Sequence, residues 1–519
     1  MTRARIFRRG PMTALLFVVV AGVLASAQVV PRRAPPTRQL LIVLDGLRPD
    51  YITPAMMPNL HALGRRGVVF AQHHSVYPTV TRVNSSSIAT GAYPEAHGLL
   101  GNSVFFPQVD PSRFLNTGDR SVLLTIAKAV DGRLLTATTM AESLDAAGRR
   151  LLVVSSGGTG SSFLLNPKLA GGAILHTTYA VPESLLAEAR ALLGPVPADE
   201  IPNDALNERA VDAFLKIGIP KFDPSVTVMW LSDPDRTAHD KGIGDAVTVE
   251  ALKRLDGAIK RIEDGLKAQG LLDSYNIWVT SDHGFSTHTG RADLEALLKP
   301  FAATLADGTP RIVTDGGAIY VRDHSRETIA AIAAVLQQTP KVGAIFTQAV
   351  QPKSLDGWVP GTLSFEAARW NHARSADILV SPDWTDAANA HGVRGSVASG
   401  GVAGHGSTSP FDIHATLVAA GPDIRQGAVI QAPSGNVDFA PTFLRRFGIA
   451  IPASMQGRAL EEAFTDGPDP ASMVVQPSEH TVRTASGSYQ VTSSFSVVES
   501  GRGRFRYLDR TTVQRGAVP

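Results

Sequence analysis

Four short apolar runs constrain the fold of this chain more than any other feature of its sequence. Each run is nearly uninterrupted, which is typical of strands buried on both faces of a parallel sheet. The runs lie at 40–44, 150–155, 225–231 and 276–280. Amphipathic helical patterns occur between them, at 139–147, 205–215 and 249–269. This alternation predicts an α/β fold with a doubly wound, mostly parallel sheet flanked by helices.

The pattern changes after residue 285, and the change predicts a second structural region. Shorter elements follow, before a glycine-rich stretch at 400–404. We therefore interpret 286–402 as a smaller inserted α+β cap, and 28–285 and 403–475 as the two parts of the core. In the second part we expect a strand at 414–420. Residues 476–519 alternate in polarity, which predicts a β-rich C-terminal tail with a hairpin.

The N-terminus has the features of a secretory signal. Four arginines precede an apolar run at 14–24, and Ala25-Ser26-Ala27 forms a cleavage motif. We expect residues 1–27 to be removed, so that Gln28 begins an exported protein located in a bacterial periplasm or outside the cell. The apolar run is short for a membrane span, although a retained anchor is the alternative.

Charge and cysteine content exclude several classes of function. The whole chain has 49 basic and 47 acidic residues, and four arginines but no acids lie in the predicted signal, which leaves 45 against 47, a net charge of −2. We therefore expect no nucleic-acid-binding surface. Without cysteine the chain forms no disulfides, and any metal must be held by nitrogen and oxygen ligands.

The stretch 77–102 places a hydroxyl where an anion would bind. We expect a short helix at about 84–90, with Thr81 just before its first turn. Free N–H groups and the helix dipole favour an anion at that end, so Thr81 is a candidate nucleophile facing a phosphate. The alternative is that Thr81 only caps the helix.

Metal-type ligands recur where the predicted strands end. Asp235 and His239 stand four apart and share one face if that turn is helical. Taken singly, each such residue is more often a turn or loop residue than a ligand. Their joint occurrence at strand ends, together with Thr81, indicates a metal centre. The candidate ligands are Asp45, Asp235, His239, Asp282, His283 and His405.

This inventory suits a two-metal reaction. Two divalent cations about 3.5–4 Å apart stabilise both the attacking and the leaving oxygen of an in-line displacement. Carboxylate and imidazole ligands without thiolate suit zinc at a catalytic site. A threonine hydroxyl bound to such a cation loses its proton more readily, which would supply the nucleophile.

With these residues assembled, the chain resembles the type I phosphodiesterase/nucleotide pyrophosphatase family of the alkaline phosphatase superfamily. The matching pieces follow the family's order and extend over most of the chain that remains after signal removal. They are the segments 45–51, 57–60, 77–81, 90–98, 235–239, 281–284 and 404–406, with Asn102.

The resemblance implies a ligand set for each of two zinc ions. One zinc would be held by Asp235, His239 and His405. The other would be held by Asp45, Asp282, His283 and the Thr81 oxygen, and Asn102 would bind a non-bridging phosphate oxygen. The chain departs from the family's Phe-Pro-Asn-His after the nucleophile, where it has Arg82-Val83-Asn84-Ser85. This departure concerns substrate preference more than the metal site.

The resemblance implies a small phosphate-ester substrate but leaves its class open. Threonine-dependent monoesterases of the superfamily carry a Lys-x-Arg pair about eighty residues past the nucleophile, where added positive charge suits a dianionic phosphoryl group. Here the corresponding residues 155–160 hold no cation, which favours nucleotide-type diesters or pyrophosphates. The alternatives are a phosphomonoesterase or phosphonate hydrolase on the same core, and a non-catalytic binding protein. The sequence implies no membrane span after signal cleavage and does not determine the oligomeric state.

Overall fold

A computed structural model describes residues 1–2, 37–501 and 503–516 of the chain. All but the first two residues of the predicted signal, 1–27, therefore lie outside the described residues, and so does the predicted new N-terminus at Gln28. Within the described part of the chain, no helix combines the length and the apolar character that crossing a membrane requires.

The central sheet has nine strands and is mostly parallel, which confirms the predicted fold class. Three of its strand pairs are antiparallel. Strand Leu417–Ala420 runs antiparallel to both of its neighbours, and the two strands at one edge, Ala173–His176 and Ala180–Val181, are antiparallel to each other. In spatial order the strands are Ala428–Ile430, Val68–Phe70, Leu417–Ala420, Tyr275–Thr280, Arg38–Leu44, Val226–Leu231, Leu151–Ser155, Ala173–His176 and Ala180–Val181.

The strand Arg38–Leu44 explains why the apolar runs of the sequence do not alternate. Leu41 and Val43 pack into the hydrophobic core on one face of the central sheet. Leu40 and Ile42 pack into a separate core on the other face. Successive side chains of a strand point to opposite faces, so a strand covered on both sides is apolar throughout.

Helices cover both faces of the central sheet. In the longest, Ala246–Ala268, buried leucine and isoleucine side chains recur along one side, and the Asp245 carboxylate accepts a hydrogen bond from Val247 N at its start. The helices are Pro58–Arg66, Thr81–Thr90, Pro94–His97, Arg120–Ala129, Met140–Ala146, Thr159–Leu164, Ser184–Leu193, Asp204–Ala213, Ile219–Phe222, Asp235–Lys241, Ala246–Ala268, Leu294–Leu298, Arg326–Gln338, Phe365–Ala368, Pro410–Ile413 and Phe439–Arg446.

Two further sheets lie mostly within 286–404. Helix Arg326–Gln338 packs Ile329, Ile332 and Leu336 into the hydrophobic core that the five-stranded sheet shares. The five-stranded sheet has the order Ile312–Asp315, Ala318–Val321, Ile378–Pro382, Val342–Thr347 and Leu363–Ser364. The four-stranded sheet has the order Trp384–Ala388, Arg394–Val397, Ser286–His288 and Ala403–Gly404. We propose that 286–402 is an insertion in the core.

The single strand predicted at 414–420 is wrong. His414–Ala415 belongs to a small sheet with His73–His74 and Ser434–Gly435, whereas Leu417–Ala420 belongs to the central sheet. Thr416 interrupts the run where side chains bond to both of its backbone groups, although its carbonyl also accepts from Ser281 N at 3.3 Å. Its N–H donates to Ser281 Oγ at 2.9 Å, and its carbonyl accepts from Thr280 Oγ1 at 2.7 Å.

The C-terminal tail is a three-stranded antiparallel sheet, one strand more than the predicted hairpin. Its strands are Val475–Arg483, Tyr489–Ser500 and Gly503–Arg515. Tyr489, Val491 and Phe495 share a hydrophobic core with the five-stranded sheet. A two-stranded ribbon, Ser103–Val104 with Leu115–Asn116, completes the strands of the described residues.

Candidate metal centre

Three adjacent parallel strands bring most of the candidate ligands to one edge of the central sheet. The strand Arg38–Leu44 pairs in parallel with Tyr275–Thr280 on one side and with Val226–Leu231 on the other. Their carboxyl ends therefore meet, as is typical of sites in open α/β sheets. The residues that follow these ends are Asp45, Asp235, Asp282 and His283.

The first group of ligands, the Thr81 cluster, consists of Thr81, Asp45, Asp282 and His283. His283 Nε2 lies 3.1 Å from Asp282 Oδ2 and 3.5 Å from Asp45 Oδ1. Thr81 Oγ1 lies 3.3 Å from the same nitrogen. The structure thus brings together the four residues that the resemblance assigns to one metal.

The second group, the Asp235 cluster, consists of Asp235, His239 and His405. Helix Asp235–Lys241 places Asp235 and His239 one turn apart. Asp235 Oδ1 lies 3.3 Å from His239 Nε2 and 3.2 Å from His405 Nε2, and the two nitrogens are 3.3 Å apart. Ligands held at about 2.0–2.1 Å by a tetrahedral zinc stand about 3.3 Å from one another.

The three histidines of these clusters are oriented as metal ligands. Each ring donates its Nδ1–H to a backbone carbonyl, which leaves the Nε2 lone pair facing the carboxylates. Two such lone pairs only 3.3 Å apart, as in the Asp235 cluster, repel unless a cation or proton lies between them. The accepting carbonyls, for His239, His405 and His283 in turn, are those of Ala403 at 3.0 Å, Thr79 at 2.8 Å and Gly284 at 3.0 Å.

Each of the three carboxylates has one oxygen without a hydrogen-bond partner, and in two of them the protein holds the other oxygen. Trp230 Nε1–H donates to Asp45 Oδ2 at 2.9 Å, and Gly46 N–H donates to Asp282 Oδ1 at 3.1 Å. Asp45 Oδ1, Asp282 Oδ2 and Asp235 Oδ1 are buried without a hydrogen-bond partner. Buried, unpaired carboxylate oxygens are costly. The donor set therefore fits divalent cations.

Charge crowding shifts the pKa values of the ligands. Burial, and then the Asp235 charge, raise the pKa of Asp282 to about 7. Burial and the neighbouring carboxylates of Asp282 and Asp235 raise the pKa of Asp45 well above its usual range. For His239, burial lowers the pKa, but Asp235 outweighs it and the result is about 9. A bound cation would relieve this repulsion.

The two clusters adjoin each other. The rings of His283 and His405, one from each cluster, are stacked with centroids 3.5 Å apart and planes 14° apart. All seven metal-ligand residues predicted from sequence therefore meet in one place. Two ions bound to neighbouring ligand groups would face a single substrate, as a two-metal displacement requires.

Thr81 is the first residue of helix Thr81–Thr90, which begins three residues earlier than predicted. The N-cap is Val80, and no side chain caps this helix. The helix-cap role considered for Thr81 is therefore wrong. Thr81 is 6% exposed, and its hydroxyl faces His283 instead.

Asn102 and Arg82 lie next to Thr81. Asn102 Oδ1 accepts a hydrogen bond from Arg82 N at 3.0 Å, which orients the amide. The Arg82 side chain has a buried Nε without a partner. Within 37–501 and 503–516, no carboxylate forms an ion pair with Arg82. An arginine beside the nucleophile with a buried, unpartnered Nε favours an anion at this place.

Sequence reasoning missed two residues that shape the site. Trp230 orients Asp45, but in the sequence it is one apolar residue of a buried strand. His288 donates Nδ1–H to Gly400 O at 2.6 Å, and its Nε2 is buried without a partner. A Cβ added at Gly404 would lie 2.5 Å from His288 Cε1 and 3.1 Å from His239 Cε1, so only glycine fits there. The sequence signal that could have identified His288 is its position, five residues after the candidate ligand His283.

Comparison with known proteins assigns the chain to a family. The profile of type I phosphodiesterase/nucleotide pyrophosphatase matches residues 39–394. Human ectonucleotide pyrophosphatase/phosphodiesterase family member 1 is 26% identical over 253 residues, 48% of this chain and 23% of the relative. The venom phosphodiesterase of Macrovipera lebetinus is 26% identical over 248 residues, 47% of this chain and 25% of the relative. These alignments thus cover about a quarter of each curated relative.

Solved structures show the same fold. Murine ectonucleotide pyrophosphatase/phosphodiesterase 5, an inactive variant in complex with AMP, superposes with a TM-score of 0.59 at 17% identity. The match covers 83% of this chain and all of the murine chain. The human protein of the same name gives a TM-score of 0.59 over 82% of this chain. On the extent of the profile match, this chain belongs to the type I phosphodiesterase/nucleotide pyrophosphatase family of the alkaline phosphatase superfamily.

Proposed function

We propose that this chain is an exported hydrolase that cleaves phosphodiester or pyrophosphate bonds with two zinc ions and Thr81 as the nucleophile. One observation carries the proposal: Thr81 Oγ1 lies 3.3 Å from His283 Nε2, within a group of metal ligands. Family membership supports the class of reaction. Export rests on the signal predicted at 1–27 and on relatives named as ectonucleotide and venom enzymes.

The proposed chemistry assigns a task to each residue of the site. The seven ligand residues would hold two zinc ions, which when bound stabilise negative charge on the reacting phosphoryl group and on the attacking oxygen. Thr81 Oγ1, presented at the start of a helix, would bond to phosphorus as the leaving-group oxygen departs. Water would then cleave the phosphothreonine ester and restore the hydroxyl. Asn102 would donate its amide N–H to a non-bridging oxygen.

We infer that the substrates are small nucleotide-type esters. Two relatives are named for nucleotide pyrophosphatase and phosphodiesterase activities, and the murine structure was solved with AMP. Residues 155–160 connect strand Leu151–Ser155 to helix Thr159–Leu164 and include no cation. A phosphoryl group that carries a single negative charge, as in a diester, needs less compensation than a dianionic monoester.

Arg82 gives specific support to the alternative, a phosphomonoesterase on the same core. Its side chain is partly exposed, has a buried Nε without a partner, and follows the nucleophile directly, so it would stabilise a second negative charge on the substrate. Arg236 offers a matched control. It follows the ligand Asp235 as Arg82 follows Thr81, but it is half exposed and pairs with Asp199 at 3.3 Å.

The deciding experiment compares bis(p-nitrophenyl) phosphate with p-nitrophenyl phosphate after zinc loading. We expect a higher kcat/KM for the diester. The reverse order by about tenfold or more, equal to about 1.4 kcal/mol in barrier, would establish the monoesterase alternative. If protein with its full metal content turns over neither ester and no nucleotide pyrophosphate, the proposal is contradicted. The remaining alternative is then the non-catalytic binding protein.

The Arg82→Ala variant tests what its guanidinium recognises. Loss of a charge that faces the substrate should lower monoester turnover more than diester turnover, by about tenfold or more. Arg236→Ala should leave the ratio of the two rates unchanged. An equal effect of Arg82→Ala on both esters would show that Arg82 does not discriminate between them.

A further inference from the structure

A third group of possible metal ligands lies outside the metal centre. This group, the His74 triad, consists of His74, His414 and Asp509. One nitrogen from each histidine and one carboxylate oxygen lie within 4.8 Å of one another. His74 and His414 face each other across the antiparallel pair His73–His74 and His414–Ala415, while Asp509 is in the last strand, Gly503–Arg515.

His74 and Asp509 are both oriented by other groups. His74 Nδ1 lies 2.9 Å from Ser434 O, and a carbonyl can only accept, so this nitrogen is the donor. His74 Nε2 is thereby directed at Asp509 Oδ1, 2.7 Å away. Ser496 Oγ lies 3.0 and 3.1 Å from the two oxygens of Asp509. Carbonyl-bound histidines and hydroxyl-bound carboxylates are typical of metal ligands with their supporting partners.

His414 supplies the observation that an ion pair does not explain. His414 Nε2 is buried and has no hydrogen-bond partner. A simple His74–Asp509 ion pair satisfies those two residues but leaves this nitrogen unpaired at a cost in free energy. A cation bound to all three residues would satisfy His414 as well.

The composition of the triad indicates the class of cation. Two imidazoles and one carboxylate, without thiolate, form the same donor set as the Asp235 cluster, and such a set suits zinc. Ligands of one zinc stand about 3.3 Å apart. His74 Nε2 and Asp509 Oδ1 would therefore move apart slightly when the cation binds, and a water would provide the remaining ligand.

We infer that the His74 triad binds a third divalent cation, of the zinc class, which links the C-terminal sheet to the small sheet beside the core. The three residues come from strands far apart in the chain, and Asp509 is the contribution of the C-terminal sheet. Binding to the folded state alone would stabilise the attachment of that sheet.

The test is the zinc content of the full-length protein after zinc loading and gel filtration. We expect His414→Ala to hold about one zinc ion per chain fewer than wild type, with hydrolysis of the substrate unchanged when zinc is in excess. His480→Ala is the matched control, because His480 lies in the C-terminal sheet and pairs with Asp356 at 2.7 Å but is outside the triad. It should keep the wild-type content.

The difference between variants separates this inference from the proposed two-zinc site. If the metal centre fails to bind zinc, the zinc content of wild type and of His414→Ala falls equally. The difference between them stays at about one zinc ion per chain. Equal zinc content in wild type and folded His414→Ala overturns the inference. If His414→Ala does not fold, Asp509→Asn replaces it, since an amide oxygen still accepts from Ser496 but is a weaker ligand. Equal content in that variant and wild type also overturns the inference.

A second readout follows the C-terminal sheet itself. With a chelator, wild type should lose thermal stability and become open to proteolysis near the strands Val475–Arg483, Tyr489–Ser500 and Gly503–Arg515. His414→Ala should show this susceptibility without the chelator and change no further at those strands when it is added. Equal protection of the C-terminal sheet in wild type with and without chelator would contradict the inference.

Discussion

The two ligand clusters of the metal centre differ most in their exposure to solvent. In the Thr81 cluster the side chains of Asp282 and His283 are fully buried. In the Asp235 cluster the side chain of His239 is 44% exposed. The buried cluster includes the proposed nucleophile, and in the proposed mechanism the more exposed cluster would face the leaving group and the entering water. The proposed mechanism would thus divide carboxylate and imidazole ligands between a site for attack and a site for exchange.

The largest expected effect is that of Thr81→Ala. Without the hydroxyl no covalent bond to phosphorus forms, and we expect turnover to fall by about a thousandfold or more, equal to about 4 kcal/mol in barrier. Zinc content should fall little, because Asp45, Asp282 and His283 remain. Thr81→Ser, which keeps the hydroxyl, should retain much more activity. Steady-state kinetics at matched zinc content decides, and activity of the Ala variant within about tenfold of wild type would remove Thr81 from the mechanism.

Trp230→Phe should weaken the Thr81 cluster while it leaves the Asp235 cluster intact. The indole N–H holds Asp45 Oδ2 at 2.9 Å, and loss of such a supporting partner lowers metal affinity or activity by about 10–100-fold. Trp278→Phe is the control, since Trp278 Nε1 donates at 2.9 Å to Gln39, which is not a metal ligand. Zinc titration of both variants checks this, and equal losses would show a general packing effect.

The sequence predicted the central sheet and the meeting of Asp45, Asp235 and Asp282 for a common reason. Buried strands are apolar on both faces, and residues such as Asp45 that follow adjacent parallel strands must meet at one edge. Prediction failed where side chains compete with the backbone ladder, as at Thr416. It also missed Trp230, because an indole in an apolar run reads as core until its hydrogen bond to Asp45 is known.

Chelator extraction should separate the two clusters in time. The exposed His239 gives a chelator access to the Asp235 cluster, whereas the Thr81 cluster opens only when the structure around it moves. We expect two phases of zinc loss, with rates that differ by about tenfold or more. Asp235→Asn should remove the fast phase and keep the slow one. A single phase in wild type would show that exposure does not distinguish the clusters.

The pH dependence of zinc affinity should also differ between the clusters. Asp235 holds the pKa of His239 at about 9 against the effect of burial, so the metal-free protein keeps a proton there below that pH. Burial and then Asp235 raise the pKa of Asp282 to about 7, so this carboxyl takes up a proton only below neutrality.

Zinc must displace each proton, and affinity falls by up to about tenfold per pH unit for each one displaced. Acidification from pH 9 to 7 should therefore weaken the Asp235 cluster through His239, and acidification below pH 7 should add the loss due to Asp282 in the Thr81 cluster. Competition with a calibrated chelator across this range measures the two affinities, and the break near pH 7 should disappear in Asp282→Asn. A parallel decline of both affinities from pH 9 downward would mean that the clusters titrate as one site.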